Sequence, residues 1–364
     1  MRTSTKGRPI YFLHSVFAVS LFLWGLAFQS NADPLISASQ QDGNALRTNN
    51  EFIVIAHRGA SGYLPEHTLA STALAFAQGP DFIEQDVVMT KDDIAVVLHD
   101  IHLETVTNVE QVFPDRHRID GRYYARDFTL TEIKQLRVHE RADATGKQVF
   151  ASRYQGQKAH FTIATLEEHF ELIRELNREL GKDIGVYPEV KSPAFHLNEG
   201  IDASSVVISA LNKYGFSGPN GNSYLQCFDF NEVKRIRKQL AYDGKIVMLI
   251  GENDWQESDT DYNWIRSEDG LKTVAQYADG IGPWFGQLLD KSALNGGSVK
   301  AAEWLEHAHS HGLIIHPYTF REDALPAGMT QMQLLSVLKN VIQADGVFTD
   351  HTPPVLEWRS ALQK

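Results

Sequence analysis

After residue 50 the chain alternates eight short apolar runs with eight helical segments, and this alternation limits the fold more than any other feature. The runs at 53–58, 82–89, 184–190, 223–228, 246–250, 279–283, 313–318 and 346–349 read as strands. The segments at 66–77, 166–180, 201–214, 231–240, 270–277, 300–311, 331–343 and 354–362 read as helices. Repetition of this kind builds a parallel sheet covered by helices, and eight copies predict an α/β protein of the (β/α)8 TIM-barrel class. A doubly wound open sheet is the alternative, but no Gly-x-Gly-x-x-Gly opens a helix. Boundary residues agree with the segments. Asn231 before Glu232 and Thr352 before Pro353-Pro354 suit helix starts, and Gly181 and Gly312 follow helical runs as C-terminal caps do.

Residues 101–164 break the rhythm. They are polar, carry many Arg, His and Asp, and lack a βα unit. A break this long is expected to be an inserted small subdomain and not a loop. It follows the hairpin that Lys91-Asp92-Asp93 sets between 82–90 and 94–99, and it departs beside His99, where it could cap a pocket. A second irregular stretch, 252–269, holds Trp255, Tyr262 and Trp264 among acids. At the N-terminus, Arg2, Lys6 and Arg8 precede an apolar run at 10–28 and the small-x-small triplet Ser30-Asn31-Ala32. Residues 1–32 therefore read as a signal peptide cleaved after Ala32, 33–50 as a flexible lead-in, and 51–364 as the barrel domain. A retained membrane anchor is the competing reading, but no stop-transfer pattern follows, so no stable membrane insertion is expected.

The net charge is −12 over 364 residues, and losing three basic residues with the leader makes it more negative. Nucleic-acid affinity comes largely from neutralising phosphates, so an acidic chain is a poor candidate for that role. Cys227 is the sole cysteine, so no internal disulfide can form and an exported chain must rely on its core.

Polar residues collect where the strand candidates end, the position of the active site in a barrel enzyme. His57 and Arg58 close the first strand, and Glu84 and Asp86 lie on the second. His99 and Asp100 end its hairpin partner, and Glu189 and Lys191 end the third βα strand. Residues i and i+2 of a strand share a face roughly 6–7 Å apart. Glu84 and Asp86 therefore point the same way inside an apolar run. Buried unpaired carboxylates are costly, so a cation is expected between them, with Glu189 as a third ligand. Hard oxygen donors favour Ca²⁺ or Mg²⁺ over zinc. Arg58 and Lys191 add positive charge, and Arg suits bidentate phosphate contacts. A metal with Arg and Lys meets the needs of phosphoryl transfer, and two histidines can serve as its acid and base. Further along, Gln226 and Phe228 end the fourth strand, Trp284 follows the sixth, His316 and Tyr318 the seventh, and Asp350 the eighth. Simpler roles compete for some of these. His316 and His309 read as structural, Cys227 as a buried small apolar residue, and Asp350 as a cap for the last helix. Phe228 and Trp284 read equally well as core or as pocket wall.

These motifs resemble those of the glycerophosphodiester phosphodiesterase family. The resemblance is carried by His57-Arg58-Gly59-Ala60, Pro65-Glu66-His67-Thr68, Glu84-x-Asp86, Leu98-His99-Asp100 and Pro188-Glu189-Val190-Lys191 in that order. It spans roughly 51–360, and the secreted periplasmic bacterial members look nearest, with Asp279-Gly280-Ile281-Gly282-Pro283 and His316-Pro317-Tyr318-Thr319 also similar. The resemblance implies Ca²⁺ on Glu84, Asp86 and Glu189, with His57 and His99 as the acid–base pair. It also implies Arg58 and Lys191 on the phosphate, and Phe228 against the glycerol. Trp284-Phe285 stands where an acidic–aromatic pair is expected. The implied activity is Ca²⁺-dependent hydrolysis of deacylated phospholipids to sn-glycerol 3-phosphate and an alcohol, in the periplasm, on a small-molecule substrate. Two alternatives are a phosphodiesterase acting on intact lipid, which needs an exposed apolar rim, and a non-catalytic surface binding protein on the same scaffold.

Overall fold

The computed structural model describes residues 51–363 apart from 144, 157, 290–298 and 327. The signal peptide and lead-in expectations lie outside the described residues. Among the described residues nine strands form: β1 (Ile53–Ala56), β2 (Phe82–Met89), β3 (Ala95–Val97), β4 (Gly185–Val190), β5 (Tyr224–Cys227), β6 (Lys245–Ile250), β7 (Gly280–Pro283), β8 (Ile314–Ile315) and β9 (Gly346–Thr349). Eight are parallel in the order β8-β7-β6-β5-β4-β2-β1-β9, and β3 pairs antiparallel with β2 as the expected hairpin. The sheet curls into the expected TIM barrel. The seam between β8 and β9 is closed by the chain just past β8. Phe348 donates its N–H to the Pro317 carbonyl at 3.0 Å, Phe320 donates to Phe348 at 2.8 Å, and Phe320 bridges Thr349 in parallel. β8 is shorter than the expected 313–318 because Pro317 has no N–H to give a ladder.

The two-residue period of the strands sorts the interior into layers. Ile55, Phe82, Tyr187, Tyr224, Val247 and Phe348 meet as an apolar plug inside the barrel, with the Tyr187 and Tyr224 rings stacked at 5.0 Å. Two residues further along the same strands come His57, Glu84, Glu189, Gln226 and Asp350. The register that buries the plug therefore points these polar groups into the C-terminal mouth. The opposite strand faces, with Val54, Ile83, Val186, Leu225, Cys227 and Met248, pack under the helices in the main core.

The helices start and stop on local signals. Thr165 and Glu168 form a reciprocal capping box before Leu166–Leu180, and Gly181 closes that helix at φ 61°. Leu166, Phe170 and Ile173 on its inner face are buried, each contributing about 1.5–3 kcal/mol. Asp229, not Asn231, caps the helix Phe230–Lys238 by accepting from the Asn231 and Glu232 N–H groups. The first helix begins at Leu69, capped by Thr68, so residues 65–68 become a loop at the barrel mouth and not helix.

Residues 101–164 carry short helices at Val109–Val112 and Leu130–Ile133 and a hydrophobic cluster of their own. Leu103, Val109, Phe128, Ile133 and Leu136 are fully buried there, against Val88, Val96 and Leu98 of the β2–β3 hairpin. Among the described residues no helix is long and apolar enough to cross a membrane.

Candidate active site

The strand ends converge on a cavity of about 200 Å³ whose wall includes His57, Arg58, Glu84, Asp86, His99 and Glu189. Gln226, Phe228, Trp255, Trp284, Tyr318 and Arg321 complete much of its lining. Eight of the nine residues singled out from the sequence face this space. The ninth, Lys191, is buried nearby with its ammonium on Glu189 Oε1 at 2.8 Å and 5.3 Å from the Phe228 ring centroid.

The backbone at the first strand end is tightly folded. Arg58 lies at φ 58° and donates its N–H to Glu84 Oε2 at 2.9 Å. Gly59 follows at φ 80°, where a Cβ would stand 2.7 Å from Ser71 Oγ, so glycine is required there. The Arg58 guanidinium reaches Glu66 at 3.1 Å and Asp86 at 3.5 Å.

Carboxylate oxygens of Glu84, Asp86 and Glu189 lie within 4.8 Å of one another, and all three residues are buried. Burial, with the neighbouring carboxylates, pushes Glu84 and Glu189 well above the usual carboxyl range. Burial opposes ionisation of Asp86 as well, yet His67 at 2.7 Å holds it well below that range. Asp86 Oδ1 and Gln226 Oε1 are buried with no hydrogen-bond partner. An all-oxygen trio with an orphaned lone pair fits a hard divalent cation.

Both histidines are oriented by an aspartate. His57 Nδ1 lies 2.5 Å from Asp350 Oδ1, and His99 Nδ1 lies 2.6 Å from Asp100 Oδ1. A carboxylate accepts only, so Nδ1 carries the hydrogen and Nε2 is left with its lone pair. On His57 that Nε2 lies 3.7 Å from Glu84. Burial, then Arg58, lowers His57 to about 4 and His99 to about 3, with Lys191 acting further on His99. Both imidazoles are therefore neutral bases at pH 7.

Asp350 corrects the sequence expectation. It does not cap the last helix, whose N-cap His351 makes no side-chain cap bond. Its carboxylate is turned inward to His57, and the next residue takes the cap position. The sequence reading assigns no role to Glu66 and His67, although they lie in the Pro65-Glu66-His67-Thr68 motif. Their contacts with Arg58 and Asp86 arise from the loop at 65–68, which no strand or helix period marks. His316 is structural as expected, buried with Nδ1 3.0 Å from the Tyr187 hydroxyl.

Comparison with known proteins agrees with this geometry. A model of the glycerophosphoryl diester phosphodiesterase family matches residues 57–353. The chain is 40% identical to the glycerophosphodiester phosphodiesterase of Haemophilus influenzae, over 91% of this chain and 97% of that protein. It is 35% identical to the one from Treponema pallidum, over 83% and 90%. In fold it is similar to a glycerophosphoryl diester phosphodiesterase structure from Silicibacter pomeroyi, with a TM-score of 0.65 at 20% identity over 87% and 95% of the two chains. It is similar also to an Oleispira antarctica phosphodiesterase in complex with sn-glycerol-3-phosphate, with a TM-score of 0.56 at 20% identity over 85% and 97%. On the family match and the length of these similarities, the chain belongs to the glycerophosphoryl diester phosphodiesterase family.

Proposed function

We propose that the protein hydrolyses glycerophosphodiesters, the deacylated phospholipids, to sn-glycerol 3-phosphate and a free alcohol. The observation that carries this reading is the meeting of two aspartate-oriented histidines, Arg58 and three buried carboxylates in one cavity. The names of the Haemophilus and Treponema relatives support it, as does the product bound to the Oleispira protein.

His57 and His99 act as the acid–base pair. A neutral Nε2 accepts the proton of the attacking hydroxyl, and the other histidine, protonated, gives one to the departing alkoxide. An anionic diester between them raises both from the low values set by burial and Arg58. Attack by water and attack by the glycerol C2 hydroxyl, which forms a cyclic phosphate first, make the same demand on this pair. Arg58 and Lys191 supply positive charge to the phosphate, and Phe228 and Trp284 pack against the carbon skeleton. Glu84, Asp86 and Glu189 would hold the divalent ion, Ca²⁺ by choice of donors, with Mg²⁺ meeting the same oxygen preference. Bound there, such an ion neutralises charge on the phosphate oxygens. The basic, apolar and small-x-small pattern of residues 1–32 supports export of the mature chain to the periplasm, and N-terminal sequencing of exported protein should begin at Asp33.

The test is release of glycerol 3-phosphate from glycerophosphocholine by purified protein, in EDTA and then with Ca²⁺ restored. Release that stops and returns supports both the reaction and the cation. His57→Ala and His99→Ala should each abolish it with the fold retained. No release in either buffer overturns the reading. One observation favours intact lipid as substrate instead. An apolar depression of about 510 Å³, floored by Leu288, Leu325, Met329, Leu334 and Val337, adjoins the cavity through Trp284 and Thr319. Faster turnover of sphingomyelin or phosphatidylinositol than of glycerophosphocholine would select that reading.

A further inference from the structure

The two histidines are held in matching ways. In each, Nδ1 meets Oδ1 of an aspartate, and Oδ2 of that aspartate meets a guanidinium nitrogen at 2.7 Å. For His99 the chain is Asp100 and Arg141; for His57 it is Asp350 and Arg153. Both arginines come from residues 101–164, outside the βα repeats. Resting on the phosphodiesterase reading, we propose that Arg141 and Arg153 are positioning residues for the reaction, through which the 101–164 segment sets the orientation of both histidines.

The geometry favours this role over simple attachment. Arg153 is 7% exposed and uses its fork on two acids at once. Nε and Nη2 hold Asp323 at 2.8 and 3.1 Å, while Nη2 also holds Asp350 at 2.7 Å. A planar guanidinium fixes the direction of an acceptor as well as its charge. Asp350 takes a second cation, Arg321, at 2.8 Å, so a carboxylate 1% exposed stays ionised beside His57. Arg141 works in the same manner. Nη1 holds Asp100, Nε and Nη2 hold Glu66 at 3.0 and 2.6 Å, and Glu66 in turn holds Arg58. Thr105 of the same segment donates to Asp100 at 2.8 Å. A carboxylate freed from such a clamp lets the imbidazole ring turn, and misplacement of about 1 Å costs on the order of 10²-fold in rate.

Arg118 provides the comparison. It also joins the segment to the rest of the molecule, pairing Glu199 at 2.9 Å as well as Asp127 of its own segment at 2.7 Å, and it touches neither Asp100 nor Asp350. Wild type, Arg153→Ala and Arg118→Ala are compared by melting and by steady-state hydrolysis of glycerophosphocholine with Ca²⁺ present. Arg153→Ala should lower kcat by about 10–100-fold, the range for groups that orient site residues, with KM within twofold, and added guanidinium should restore part of it. Arg118→Ala should melt earlier with kcat within twofold. Equal kcat in Arg153→Ala and wild type, or equal losses in the two variants, overturns the proposal. If Arg153→Ala does not fold, Arg153→Lys keeps the charge but not the fork, and wild-type kcat there overturns it too. A wild type with no turnover refutes the phosphodiesterase reading itself.

Discussion

Glu84→Gln should make the cation-free protein more stable while removing its response to Ca²⁺. In the fold, burial and Asp86 raise the Glu84 carboxyl well above its ordinary 4.5. A carboxyl with a raised folded pKa contributes fully below the unfolded value and costs stability as pH climbs above it. Between 4.5 and pH 7 the cost is capped at about 3 kcal/mol, at 1.36 kcal/mol per unit. An amide carries no such cost. Its oxygen can still accept from the Arg58 N–H, now at 2.9 Å from Glu84 Oε2. Its NH₂ would meet the Gln226 donor, but Gln226 Oε1 has no partner, so turning the Gln226 amide restores that bond. Exchanging two charge-assisted bonds for neutral ones gives back about 1 kcal/mol. The net expectation is a stabilisation in EDTA at pH 7 of at most about 2 kcal/mol, vanishing towards pH 4.5. Wild type in saturating Ca²⁺ should gain about 3 kcal/mol at 100 times its Kd, and the variant far less. Urea unfolding in EDTA and in Ca²⁺, at both pH values, reads all four numbers. Loss of more than 1 kcal/mol in EDTA, or a Ca²⁺ gain equal to wild type, would refute the reasoning.

Asp350→Asn should remove about 3–5 kcal/mol of stability, because it leaves Arg153 and Arg321 facing an uncharged group, and should depress kcat more than KM; chemical denaturation with steady-state kinetics checks both. Acid should destabilise the fold through His169 and His316, which burial lowers to about 3. A depressed folded pKa gives stability that is present above the unfolded value of 6.5 and lost below it, so unfolding free energy should fall by up to about 1.4 kcal/mol per pH unit per histidine. Phe128→Ala in the 101–164 cluster should cost about 3–5 kcal/mol, measured by urea unfolding; a loss under 1 kcal/mol would show that this cluster is not packed as described.

The barrel was legible because its strands and helices carry their own periods. Leu166–Leu180 falls on the expected limits, since a capping box and a left-handed glycine both mark it in sequence. The carboxylate trio was legible for the same reason. The i, i+2 spacing puts Glu84 with Asp86 on one face, and Glu189 pairs across β2 and β4 with Asp86 in register. What was not legible depends on contacts far apart in the chain. Asp350 is a plausible helix cap to anyone who cannot see that His57, 293 residues earlier, lies beside it. Arg141 and Arg153 look like ordinary charges of a polar stretch until their distances to Asp100 and Asp350 are known. The loop at 65–68 has no period at all, so Glu66 and His67 show their partners only in three dimensions.

The closure of β9 against β1 has a consequence for how the protein is made. His57 leaves the ribosome early, on the first strand, while the acid that aligns it sits on the last turn before the final helix. A growing or truncated chain can lay down seven parallel strands, the carboxylate trio and His99 and still hold an imidazole with nothing behind it. Competence arrives only with the stretch that carries β9 and Asp350, so truncation before Gly346 should silence the protein as fully as loss of a catalytic side chain.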